Sequence, residues 1–184
     1  MQAIFNNIIK VLTALSLSTI VVATASAANK GVEYASATLK NANGQTMGVA
    51  SFTEDATSLL RVKVDVKGLS VVGPHGIHIH AVGNCSHGAT LFSGAGGHHN
   101  PLGREHGLNN PLGSHAGDLH NLEVNASGAG HLNDSTDRAT LSPGPTTLFD
   151  ADGSTLVIHV AQDDQVTNPT GNSGAREACG VIKP

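Results

Sequence analysis

The segment Gly76-Ile77-His78-Ile79-His80 alternates two histidines with two isoleucines. Successive side chains of a β-strand point to opposite faces, so the isoleucines share one face and the imidazoles the other. Residues two apart on a strand lie roughly 7 Å apart at Cα, close enough for two rings to converge on one metal ion. A half-buried strand with polar residues facing water is the plainer reading, but histidine is a costly choice for it. More histidines follow at ligand-like spacings. His98, His106, His115 and Asp118 are separated by seven, eight and two residues. Three imidazoles and one carboxylate satisfy a closed tetrahedral zinc site without cysteine, whereas taken alone they also fit a solvated histidine-rich loop. Finally, Leu156-Val157-Ile158-His159-Val160 puts Leu156, Ile158 and Val160 on one strand face and leaves His159 with Val157 on the other. A lone histidine there would sit at the surface; beside His78 and His80 it completes a nitrogen-rich set.

Positioning these residues requires strands, and the chain supplies them. Residues 60–67 are the clearest, with Val62, Val64 and Val66 on one face and Arg61, Lys63, Asp65 and Lys67 on the other. Residues 32–39, 48–53, 73–81, 119–124, 154–161 and 178–182 also read as strands, with a weaker segment near His131. Asn43-Gly44, residues 125–128 and Asp152-Gly153 mark turns. About eight short strands imply an all-β sandwich or barrel. Residues 82–118 break this rhythm and are rich in Gly, Pro, Asn and His. A loop of that length needs something to fix it. Its ligand-type side chains answer that need, while Pro101 and Pro111 limit its freedom beforehand.

Composition narrows the function. The 14 acidic residues outnumber the 10 basic ones, and no basic patch is interleaved with aromatics, which argues against nucleic acid as a partner. Lys10, the apolar run from Val11 to Val22 and Ala25-Ser26-Ala27 read as a secretory signal peptide over residues 1–27, leaving one domain at 28–184. The apolar run is too short to favour a membrane span, so no stable insertion is expected after cleavage. Export to a periplasmic or extracellular compartment follows. There, Cys85 and Cys179, the only two cysteines, are expected to form a disulfide that ties the long loop to the last strand. Asn125-Ala126-Ser127 and Asn133-Asp134-Ser135 match the glycosylation pattern, relevant only to a eukaryotic source.

Taken together, Gly76-Ile77-His78-Ile79-His80, Gly97-His98-His99-Asn100-Pro101, Gly117-Asp118-Leu119 and Gly174-Ala175-Arg176-Glu177-Ala178-Cys179-Gly180-Val181-Ile182 resemble copper/zinc superoxide dismutase in order and spacing. The resemblance covers nearly all of residues 28–184. It implies an eight-stranded Greek-key β-barrel (an immunoglobulin-like sandwich) with long metal-binding and channel loops. It implies one copper ion on His78, His80, His98 and His159, one zinc ion on His98, His106, His115 and Asp118, and His98 as the imidazolate between them. Four nitrogens suit copper(II). Asp163 would be the carboxylate linking His78 to His106, Arg176 the guide for the anion, and Thr170 a residue narrowing the channel. His75, His87, His99, His120 and His131 are left as non-ligands.

The implied activity is the conversion of two superoxide anions to oxygen and hydrogen peroxide. A non-enzymatic copper or zinc carrier on the same barrel is the competing reading, and a zinc-stapled structural module a third. Two departures from the eukaryotic pattern stand out. Pro169 replaces a frequent lysine and Glu177 follows Arg176, so fewer positive charges are expected at the mouth. Asp152 stands where an apolar dimer contact is usual, which implies a monomer or a dimer through another face.

Overall fold

The computed structural model describes residues 31–184, so the expected signal peptide lies outside the described residues. Nine strands run in chain order: β1 Glu33–Asn41, β2 Thr46–Glu54, β3 Leu60–Val66, β4 Gly73–His75, β5 Ile77–His80, β6 Leu122–Val124, β7 Gly130–Thr136, β8 Thr155–His159 and β9 Arg176–Val181. They form one antiparallel sheet in the order β4-β6-β7-β3-β2-β1-β9-β8-β5. The two strands at the ends of that order are consecutive in sequence, joined at Gly76. The sheet therefore curls into a nearly closed barrel, as the all-β expectation requires.

Alternation builds the interior. On β3, Leu60, Val62, Val64 and Val66 are buried while Arg61, Lys63 and Asp65 are exposed. Ile77 and Ile79 of β5 and Leu156 and Ile158 of β8 enter the same core. One expected strand, 73–81, is two strands, which raises the count from eight to nine. The break is at Gly76, where a Cβ would run into Ser173. Its amide donates to Ala161 and its carbonyl accepts from His159, so the chain changes partners there.

The isoleucine/histidine alternation holds, but His78 and His80 are buried as deeply as Ile77 and Ile79. The long loop covers them. His99 donates its amide to Ile79 and Ile79 donates to Gly117, which lays two loop segments along the free edge of β5. This cover also protects an edge strand that would otherwise be open to pairing. The loop is secured by the Cys85–Cys179 disulfide, which closes a sequence separation of 94 residues. By chain entropy a link of that span stabilises by about 4–5 kcal/mol at most. Phe92, Ala95, Val157 and Cys179 pack into a small second apolar cluster beneath it. Among the described residues no helix is long and apolar enough to cross a membrane.

Candidate metal centre

Two ligand groups share one ring. In the first, His78 and His80 come from β5, His98 from the loop, and His159 from the end of β8. One ligand atom from each lies within 4.8 Å of the others. Antiparallel pairing of β5 with β8 brings His159 beside this strand, its amide donating to Gly76. Hydrogen bonds set the tautomers. His80 donates its Nδ1–H to the Gly96 carbonyl at 3.0 Å, and His159 donates its Nδ1–H to Gly174 at 3.1 Å. Each then turns a bare Nε2 inward, and these two atoms lie 3.5 Å apart. His78 uses the opposite edge: its Nε2–H donates to Asp163 Oδ2 at 2.7 Å, which leaves Nδ1 bare. His78 Nδ1 and His98 Nε2 are buried with no hydrogen-bond partner. Burying a bare polar nitrogen is costly, and a cation is the group that four converging lone pairs accommodate.

In the second group Asp118 Oδ1 lies 2.9 Å from His106 Nδ1, 3.1 Å from His98 Nδ1 and 3.3 Å from His115 Nδ1. Asp118 Oδ2 accepts the amides of Gly107 and His115. His115 Nδ1 and His98 Nδ1 are 3.3 Å apart, too crowded for each to keep a proton pointed inward. The donor set of three nitrogens and one oxygen is that of a closed tetrahedral zinc site.

Asp163 joins the groups from behind. Its Oδ2 accepts from His78, and its Oδ1 accepts from His106 Nε2 at 3.0 Å and from the Gln165 amide. His78, His106 and Asp163 are also near enough to hold an ion. Their facing atoms are already committed to N–H···O bonds, so the carboxylate positions both rings instead.

Electrostatics divides the site. Burial, reinforced by neighbouring His98, pushes His78 down to about 3. Burial takes His159 to about 4 and His80 well below its ordinary value. All three shifts favour the neutral ring, the form in which a histidine can hold a metal. For His106, burial acts downward, but the Asp118 and Asp163 carboxylates outweigh it and raise the ring to about 9. For Asp118, burial acts upward, and the hydrogen bonds from three rings hold it far below the carboxylate range.

Above the first group a cleft of about 430 Å³ opens to solvent, lined by His80, His98, His159, Pro169, Thr170 and Arg176 among others. Arg176 donates one terminal nitrogen to the Phe92 carbonyl and the other to Gly96, which fixes the guanidinium at the rim.

The family model described as copper/zinc superoxide dismutase (SODC) matches residues 46–182. A superoxide dismutase [Cu-Zn] of Deinococcus radiodurans is 37% identical over 184 residues, covering 95% of this chain and 97% of the relative. One of Caulobacter vibrioides is 40% identical over 152 residues, covering 81% and 85%. The superoxide dismutase-like protein YojM of Bacillus subtilis is 40% identical over 145 residues, covering 78% and 73%. A solved structure of a SOD-like protein from Bacillus subtilis superposes with a TM-score of 0.73 at 39% identity, covering 79% of this chain and 95% of that one. This chain belongs to the copper/zinc superoxide dismutase family. His75, His87, His99, His120 and His131 stand outside both groups of this dismutase-family barrel.

The cleft lining carries few positive charges, as expected, but one of the two reasons for that expectation needs correction. Glu177 does not dilute the charge at the cleft. Strand alternation turns it away from Arg176, and its Oε1 accepts the Ser70 amide at 2.8 Å. Among the described residues no acidic side chain lines the cleft, and Arg176 is its one formal cation. Sequence reasoning also missed the groups that aim the rings. The carbonyls of Gly96 and Gly174 carry no side-chain signal, and the His75 ring, whose Nδ1 lies 2.6 Å from the His159 carbonyl, shows none of the spacing of a ligand.

Proposed function

We propose that this chain is an exported superoxide dismutase: two superoxide anions and two protons become one oxygen and one hydrogen peroxide. In this reading copper occupies the group of His78, His80, His98 and His159, and zinc that of His98, His106, His115 and Asp118. Bound copper supplies the one-electron couple, and zinc closes the loop and fixes His98. The observation that carries the reading is His98 itself. Its Nδ1 faces Asp118 at 3.1 Å, while its Nε2 is buried, bare and turned to the other group. Nε2 is the atom of this ring that can hold a proton for delivery to the reduced anion. Arg176 attracts and orients the anion above the cluster, and the narrow cleft with Thr170 excludes larger solutes.

Metal analysis with a superoxide-consumption assay tests the proposal. One copper, one zinc and rapid turnover are expected. Copper without turnover would instead establish a carrier, and zinc alone a structural module. For export, the mass of the secreted protein is expected to begin at Ala28, with residues 1–27 removed.

Steering by a single fixed cation has a measurable signature. Arg176→Met is expected to lower kcat/KM by about tenfold to a hundredfold and leave metal content unchanged, since a charged cleft of this kind raises on-rates by 10–10³. The wild-type rate is expected to fall only shallowly with added salt, because one charge rather than several is screened. Rate measurements across ionic strength in both forms check this.

A further inference from the structure

A second cavity, also of about 430 Å³, lies beside the disulfide loop and shares no lining residue with the metal-side cleft. Its floor is the outer face of two paired strands. Ser36, Thr38 and Lys40 alternate along β1, and Cys179, Val181 and Lys183 along β9 and its extension. Lys40 stands opposite Cys179 and Ser36 opposite Lys183, so the strands run antiparallel and the two lysines mark opposite ends. Four strand steps, Ser36 to Lys40, separate those ends, about 13 Å at the backbone.

The wall between the ends is apolar. Its accessible part is Val181 and the Cys85 end of the disulfide, with the buried Cys179 and Phe92 behind them. Phe92 is held at φ 53, a left-handed conformation that bulky residues rarely adopt. Its amide donates to His87 Nδ1 at 3.1 Å and its carbonyl accepts from Arg176, so the strained residue is fixed on both sides. Among the described residues no Asp or Glu lines this cavity, although acidic residues outnumber basic ones in the chain. A trough with a cation at each end, an apolar side and no competing carboxylate selects by charge and length.

We propose that this trough is a binding site for an elongated small anion with an acid group at each end and an apolar middle. The Lys40 and Lys183 ammoniums meet the two acid groups, and the middle lies along Val181 and the Cys85 end of the disulfide. Nothing in this assignment depends on the metal chemistry.

Three naphthalene probes of one shape test it: naphthalene-2,6-dicarboxylate, 2-naphthoate and the uncharged 2-naphthalenemethanol. The metal-loaded protein, kept reduced with ascorbate, is titrated with each while amide shifts are followed by NMR and affinities by calorimetry. Shifts at Phe92, Gly180 and Val181 are expected, with affinity falling from diacid to monoacid to alcohol. Lys40→Gln or Lys183→Gln is expected to weaken the diacid about threefold to fivefold each, the scale of an exposed ion pair, and to leave the alcohol unchanged. Superoxide consumption is expected to be the same in both variants. Equal affinity for all three probes, or shifts confined to Gly97 and Thr170 at the other cleft, would overturn the assignment. So would a dimer in sedimentation that both lysine variants dissociate, which would make this face a contact between copies.

Discussion

Replacing His98 by alanine is expected to abolish superoxide turnover, by more than about 10³-fold for an enzyme class near the diffusional ceiling, and to weaken both metals together. No other side chain belongs to both ligand groups. His80→Ala removes one nitrogen from the His78/His159 group and leaves Asp118 with its three rings. His98→Ala removes a nitrogen from each group and takes away Nε2, the ring position assigned to the proton. Changes merely behind a ligand typically cost 10–100-fold in metal affinity, so loss of a ligand from each group sets a larger expectation, more than about 100-fold for both ions. The cavity left by the ring is polar and fills with water, so the barrel core of Ile77, Ile79, Leu156 and Ile158 on the other strand face is undisturbed. Competitive titration against chelators, run beside the activity assay, separates the two substitutions. His80→Ala should lose turnover while holding zinc near the wild-type affinity. Turnover surviving in His98→Ala would remove the basis for assigning a shared ring.

The contrast between those variants follows from how the sequence encodes the site. Period-two alternation on β3 and β5 is written in single residues, because a strand exposes every second side chain to the core. The candidate ligands are legible only in combination: the loop spacings alone also fit a solvated histidine-rich loop, and it is the structure that buries the rings and brings them together. Position along the chain is less legible. β7, Gly130–Thr136, reads weakly because His131, Asn133, Asp134 and Ser135 are polar. Pairing with β3 over seven residues, Leu60 to Val66, makes it a strand regardless, an instance of neighbours overriding propensity. Conversely β6 is only Leu122–Val124, half the length of the strand expected over residues 119–124. Asp118 is taken by the ligand group, and Asn121 by the amide and carbonyl of Asp163. The break at Gly76 is invisible locally, since it lies where the chain exchanges β6 for β8 as its partner and Gly76 hydrogen-bonds to His159 and Ala161, more than eighty residues away. Glu177 shows the same limit: a neighbour in sequence to Arg176 is not a neighbour in space when a strand alternates.

Stripped of metal, the protein is expected to be most stable near pH 6.5 and to lose stability on both sides, in addition to a general loss because two buried clusters lack their cations. The acid side follows from rings held below their ordinary value of 6.5: His78 at about 3 and His159 at about 4, both pushed down mainly by burial. Unfolded, they take up protons below pH 6.5; folded, they resist until about pH 4 and then 3. Stability present above 6.5 is therefore lost as the pH falls through that window. At pH 4.5, two units below the ordinary histidine value, His78 alone costs about 2–3 kcal/mol. The alkaline side follows from His106, where the Asp118 and Asp163 carboxylates overcome burial and raise the ring to about 9. Its contribution is complete below 6.5 and is lost as the pH rises through 9, when the proton that ties both carboxylates together leaves. With metals bound, the bare nitrogens are occupied and His106 Nδ1 carries no proton, so the alkaline loss disappears, whereas acid still competes for the ligands. Calorimetry of chelator-treated and metal-loaded protein at pH 4.5, 6.5 and 9.5 reads this directly. A chelator-treated Tm that climbs steadily with pH would contradict the imidazolium assigned to His106. One that is flat from 6.5 to 4.5 would contradict the neutral cluster of His78 and His159.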